Sequence, residues 1–131
     1  MTIELTMLAY SVALLFVLVM VQAFAGILAQ GAGVMAGPRD ELPPPKRFQA
    51  RAGRVVDNHR EGLTLFAPLL LAAAVADVST PWTVLGAQLF FYGRVAHAAL
   101  YLAGVPWIRP VAWFVGLVGT AMMFVELIVA I

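Results

Sequence analysis

Apolar residues run almost unbroken from Leu5 to Ala29, interrupted only by Ser11, Gln22 and small residues. About 20 such residues suffice to cross the hydrocarbon of a bilayer, so the run predicts a membrane-spanning helix over 5–29. The pattern then changes to Gly, Pro and charge. Gly37-Pro38-Arg39-Asp40-Glu41 and Pro43-Pro44-Pro45 cannot continue a helix and predict a loop over 30–47. A second helix is expected over 48–76, polar in its first half and apolar in its second, until Asp77-Val78-Ser79-Thr80-Pro81 ends it. A third span over 82–105 holds Arg94 and His97 near its middle, and a fourth over 109–131 is interrupted only by Glu126. The expected fold is an all-α integral membrane four-helix bundle, a single domain over 1–131 with no internal repeat.

Composition narrows the function. Of the 131 residues, 63% are hydrophobic and 11% charged, against about 45–50% and 25% in an ordinary soluble domain. So short a chain has too little interior to hide that excess from water, which excludes a soluble enzyme. A net charge of +1 lacks the clustered cations that phosphate neutralisation needs, so nucleic acid is not an expected partner. With no cysteine there is no disulfide, thiolate metal site or cysteine nucleophile, and two isolated histidines do not make a metal site.

The cations orient the chain. Arg39, Lys46, Arg47, Arg51, Arg54 and Arg60 follow the first span, Arg109 precedes the fourth, and the N-terminus, the Asp77 turn and the C-terminus carry none. The positive-inside rule then puts both termini outside the cytoplasm in a multi-pass protein.

The polar residues that enter the apolar region are the candidates for chemistry. A helix advances 100° per residue, so Arg51, Arg54, Asn58 and Glu61 fall on one stripe of the second helix. Arg94, His97 and Tyr101 share a face of the third by the same spacing. A guanidinium at a helix centre costs roughly 2.5–3.5 kcal/mol even on lenient scales and needs an anionic partner, for which Glu61 is the first choice and Glu126 the rival. Lys46, Arg47 and Arg60 read as a collar on lipid phosphates, and Arg51 fits collar and stripe equally. His59 lies off the stripe, and Trp107 and Trp113 sit where interfacial aromatics belong.

Arg54-x-x-x-Asn58-x-x-Glu61, Gly93-Arg94-Val95-Ala96-His97 followed by Tyr101, and Arg109 opening the fourth helix together resemble the membrane-associated proteins in eicosanoid and glutathione metabolism, the MAPEG family. The third-span stretch looks like the microsomal prostaglandin E synthase branch of the family, which also includes the microsomal glutathione transferases. Ala36-Gly37-Pro38-Arg39-Asp40-Glu41 looks like the loop of bacterial members, which implies a bacterial inner membrane.

The resemblance implies a homotrimer that binds glutathione between subunits near the cytoplasmic side and takes a lipophilic substrate from the bilayer. Its activity would be glutathione transfer to lipophilic electrophiles or reduction of lipid hydroperoxides. By position, Arg51, Arg54, Asn58 and Glu61 would hold the peptide's carboxylates and amine, Arg94 would pair with Glu61, His97 and Tyr101 would line the pocket, and Arg109 would be the catalytic, thiolate-stabilising group. Pro110 stands where active members often carry Ser, Trp113 where an aromatic alcohol is expected, Gln30 and Asp57 where further cations are expected. These departures keep open a second class, a non-catalytic lipid-binding or accessory member that packs against a larger membrane complex.

Overall fold

The computed structural model describes all of residues 1–131 and contains helices only: α1 (Ile3–Gln30), α2 (Ala32–Ala36), α3 (Arg47–Val75), α4 (Pro81–Ala103) and α5 (Arg109–Ala130). The four long helices occupy the stretches marked by the apolar and mixed runs. The short α2 lies inside the segment expected to be loop. Gly31, at φ 90°, ends α1, and the next five residues, which contain no proline, make one more turn before Gly37-Pro38 stops them.

Local signals account for the ends of the long helices. Thr2 caps α1 by accepting from the Leu5 N–H at 3.3 Å, and Thr80 caps α4 by accepting from Trp82 and Thr83, with Pro81 in the first turn. Gln49 reaches back to accept from the Lys46 N–H and also receives Gln30, which ties the end of α1 to the start of α3. Gly104 closes α4 in the left-handed region.

α4 and α5 make the closest contact, through glycine. A Cβ on Gly93 would meet Gly116 N at 2.8 Å and Ala112 O at 3.1 Å, and one on Gly86 would meet Gly119 O at 2.9 Å. Small residues let two backbones approach and gain dispersion over their whole length, which in lipid replaces the hydrophobic drive. The apolar core lies between α1, α3, α4 and α5, where Phe66 and Phe90 stack with centroids 3.9 Å apart beside Leu70 and Met123.

Only 28 of the 131 residues are buried, and the exterior is covered by large apolar side chains such as Phe16, Leu28, Val111 and Val129. Such an exterior suits hydrocarbon, not water. α1 and α5 are each long and apolar enough to cross a membrane.

Candidate functional site

The second-helix stripe lies on α3 and meets the Arg94 face of α4 beside the first turns of α5. Arg94 is buried, yet its Nη1 donates to the Asn58 Oδ1 at 2.5 Å, and its guanidinium lies 5.6 Å from the centre of the Phe90 ring. Its Nε has no partner. Room for the head group comes from Gly62, where a Cβ would overlap the guanidinium itself. The expected ion pair with Glu61 is absent: the chain's one ion pair within 4.0 Å is Arg60–Asp57, on the exposed face of α3. The reason is geometric. Asn58 lies one turn earlier on the same stripe and takes the guanidinium, while Glu61 stays exposed at the rim of the same small cavity. Glu126, the rival partner, is engaged elsewhere, accepting from Thr80 at 2.7 Å.

Two turns further along α4, beside the start of α3, Tyr101 gathers two more cations. Arg54 Nε donates to its phenol oxygen at 2.8 Å, and the Arg109 guanidinium lies 4.4 Å from the ring centre, within cation–π range. His97, buried between Arg94 and Tyr101 along α4, meets the Tyr101 ring edge-on at 5.5 Å. Arg109 is the first residue of α5, so the positive end of that helix dipole adds to its charge.

Arg51 stands apart from this group. It donates to the Leu102 carbonyl at 3.4 Å and packs against Gly104, closing the C-terminus of α4. The structure therefore brings together Arg54, Asn58, Glu61, Arg94, His97, Tyr101 and Arg109, and gives Arg51 a capping role. It adds Gly62, Trp113, Leu117 and Thr120, which line the cavity next to Arg94 and Glu61. Trp113, Leu117 and Thr120 recur at the four-then-three spacing of one helix face, a sequence signal that the interfacial reading of Trp113 obscured. His59 turns to the opposite side, its Nε2 bonded to the Ser11 carbonyl at 2.8 Å.

Three guanidinium groups thus face the α4 aromatics Phe90 and Tyr101 and the α3 amide Asn58 without a carboxylate in contact. Arg94 is buried, and burying a cation without an anion in contact is costly; Arg109 is half-buried and Arg54 exposed, so the three together offer guanidinium forks to an anionic ligand with more than one acid group. The cavity under Arg94 is about 40 Å³, room for a few waters at most. A ligand of peptide size would lie over it, on the open face between α3 and α5.

Apolar helix exteriors, with Arg54, Arg94 and Arg109 gathered where α3, α4 and α5 meet, fit a helical membrane protein. The MAPEG family model matches residues 7–129, and the chain belongs to that family. MAPEG proteins are membrane-associated and commonly use glutathione. No curated protein and no solved structure matches the chain.

Proposed function

We propose that the protein is a glutathione-dependent membrane transferase or peroxidase acting on lipophilic electrophiles or lipid hydroperoxides. The observation that carries this reading is the convergence of Arg54, Arg94 and Arg109 with no carboxylate in contact. Glutathione supplies what the cluster lacks: two carboxylates for guanidinium forks, and an ammonium for Glu61, which has no cation within 4.0 Å. Arg109, at the head of α5, stabilises the thiolate, because a nearby guanidinium and a helix N-terminus both favour the charged form of a thiol. The thiolate sulfur then forms a bond to the electrophilic carbon, and the leaving group departs with its electron pair or the adduct takes up the released proton.

In this reading all four long helices cross the membrane, both termini face away from the cytoplasm, and the α2 segment lies on the cytoplasmic side of a bacterial inner membrane. The site opens on the α3–α5 face, so a homotrimer in which a neighbouring copy covers the peptide completes it. The alternative is a non-catalytic MAPEG protein, a lipid-binding or accessory subunit. It is favoured by Pro110, which offers neither hydroxyl nor N–H beside Arg109.

The test is a titration of the purified protein with glutathione, followed by thermal unfolding and by the ultraviolet absorbance of the thiolate. A specific ligand raises the unfolding temperature by mass action. A bound thiol beside Arg109 ionises well below the roughly 8.5 of a free cysteine side chain. Stabilisation with an unshifted thiol selects the non-catalytic reading, and the absence of any stabilisation rejects glutathione.

A further inference from the structure

The outer face of α5 towards the α3–α4 turn carries a second feature. α5 and the first turn of α4 enclose an apolar groove of about 390 Å³, lined by Trp82, Val118, Ala121, Met122, Val125 and Glu126. Five of the six are apolar; the sixth is a carboxylate at one end. Glu126 Oε2 accepts from Thr80, and its Oε1 has no partner within the chain. Trp82 is 59% exposed, and its indole N–H makes no hydrogen bond within the chain. From Glu126 to Val118 the groove follows α5 for eight residues, about 12 Å at 1.5 Å per residue, close to the depth of one leaflet of a roughly 30 Å hydrocarbon core.

The charge around the groove selects its occupant. This end of the molecule carries Glu4, Asp77 and Glu126 and no Lys or Arg side chain. An anionic lipid is therefore repelled. A second copy standing parallel presents the same end, whose one cation is the α-amino group of Met1, and offers Glu126 no side-chain cation. A lipid with a primary ammonium offers everything the groove lacks: an ammonium that donates to Glu126 Oε1, a phosphate that accepts from the Trp82 indole, and an acyl chain for the apolar floor. Tryptophan at a membrane–water boundary is suited to that arrangement, its ring apolar and its N–H wet.

We propose that the groove between Trp82 and Glu126 is a binding site for one phosphatidylethanolamine, in the leaflet opposite the α2 segment. The site rests on α5 lying in a bilayer and is independent of the glutathione reading, since none of its residues belongs to the arginine cluster. Glu126 has two tasks in it. One oxygen holds the α4 cap and the other faces the lipid head.

The experiment is native mass spectrometry of the full chain in detergent, loaded in turn with dioleoyl phosphatidylethanolamine, phosphatidylcholine and phosphatidylglycerol. The expected result is one phosphatidylethanolamine retained per chain, about tenfold in preference to the other two, the scale of one charge-assisted hydrogen bond. The quaternary ammonium of choline cannot donate, and phosphatidylglycerol brings the wrong charge. Glu126→Gln keeps an acceptor for Thr80 and is expected to bring phosphatidylethanolamine down to the phosphatidylcholine level, while Glu126→Lys turns the preference to phosphatidylglycerol. Ala121→Trp fills the groove and removes the retained lipid, and Val129→Trp, on an exposed position outside it, does not. Equal retention of the three lipids, or an unchanged preference in Glu126→Gln, overturns the proposal. So does a parent chain that retains no lipid and falls to a smaller oligomer in Ala121→Trp, because a second copy would then be the occupant.

Discussion

The two ends of the helix assembly both hold ionisable side chains, and they treat them in opposite ways. Near the α3–α4 turn, buried Glu4 accepts from Ser79 at 2.8 Å and Thr83 at 2.7 Å, and half-buried Glu126 accepts from Thr80. Each carboxylate accepts from a hydroxyl of another part of the chain, Glu126 through one oxygen only, and the bonds tie α1 and α5 to the start of α4. Towards the other end and in the middle, Arg94, Arg54 and Arg109 receive only an amide oxygen, a phenol and aromatic faces, and Arg94 Nε receives nothing. A polar group with its partners in place reads as structure. Cations brought together with donors unused read as a place for a ligand, most of all at buried Arg94, where the chain otherwise bears the desolvation cost with little return.

If the open end binds and activates a thiol, the largest effect is kinetic. Arg109→Leu is expected to lower the rate of glutathione conjugation by about 100- to 1,000-fold, the range typical of losing one group that stabilises developing charge. Glutathione affinity should change by no more than a few fold, because the carboxylate-holding residues remain. The thiolate absorbance should return to the pH of free glutathione. A variant that loses rate and affinity equally would make Arg109 another carboxylate clamp. Restoring a donor beside it with Pro110→Ser should raise the parent rate.

Stability separates the ends next. Glu4→Leu leaves the Ser79 and Thr83 hydroxyls without their acceptor, although Thr83 retains a bond to the Thr80 carbonyl, and a loss of about 1–3 kcal/mol is expected in reversible unfolding. Arg94→Leu removes a buried cation with no carboxylate within 4.0 Å and also the donor to Asn58, so the two effects offset and the net change should stay within about 1 kcal/mol of zero. Glutathione binding by Arg94→Leu should nevertheless fall about tenfold or more, one charge-assisted bond's worth. Should Arg94→Leu prove as destabilising as Glu4→Leu, Arg94 would be a structural residue like those at the other end, and the contrast would collapse.

The sequence makes one end far more legible than the other. Apolar runs mark α1 and α5, and spacing puts Arg54, Asn58 and Glu61 on one face and Arg94, His97 and Tyr101 on another, because helical geometry converts position into direction. Direction does not say which atom a long side chain reaches. Asn58 and Glu61 lie on the same stripe, and only the packing of α3 on α4, with Gly62 hollowing the contact, gives Arg94 to Asn58. Arg51 shares the spacing of the site but lies close enough to the start of α3 to meet the end of α4. The carboxylate ties at the other end were illegible for another reason. Glu4 lies at the margin of an apolar run, where a polar residue looks like a boundary, and its partners come 75 and 79 positions later. Short α2 carries no periodic signal in five residues.

The smallest effect gives the finest comparison, and it concerns Tyr101, which serves two arginines by two different means. Its phenol oxygen accepts from Arg54, and its ring face holds Arg109. Tyr101→Phe removes the first and keeps the second. Arg54 is exposed, so water replaces much of the lost bond, and glutathione affinity should fall by about two- to fivefold, within the 0.5–1.5 kcal/mol of an ordinary hydrogen bond. The thiolate titration should not move, since Arg109 keeps its seat on the ring. Tyr101→Leu removes both supports and should move affinity and titration together. If the titration shifts back already in Tyr101→Phe, the phenol stabilises the thiolate and Arg109 is secondary. If neither variant changes either quantity, Arg54, Tyr101 and Arg109 form a tie between α3, α4 and α5, of the same kind as the hydroxyl–carboxylate tie at the opposite end.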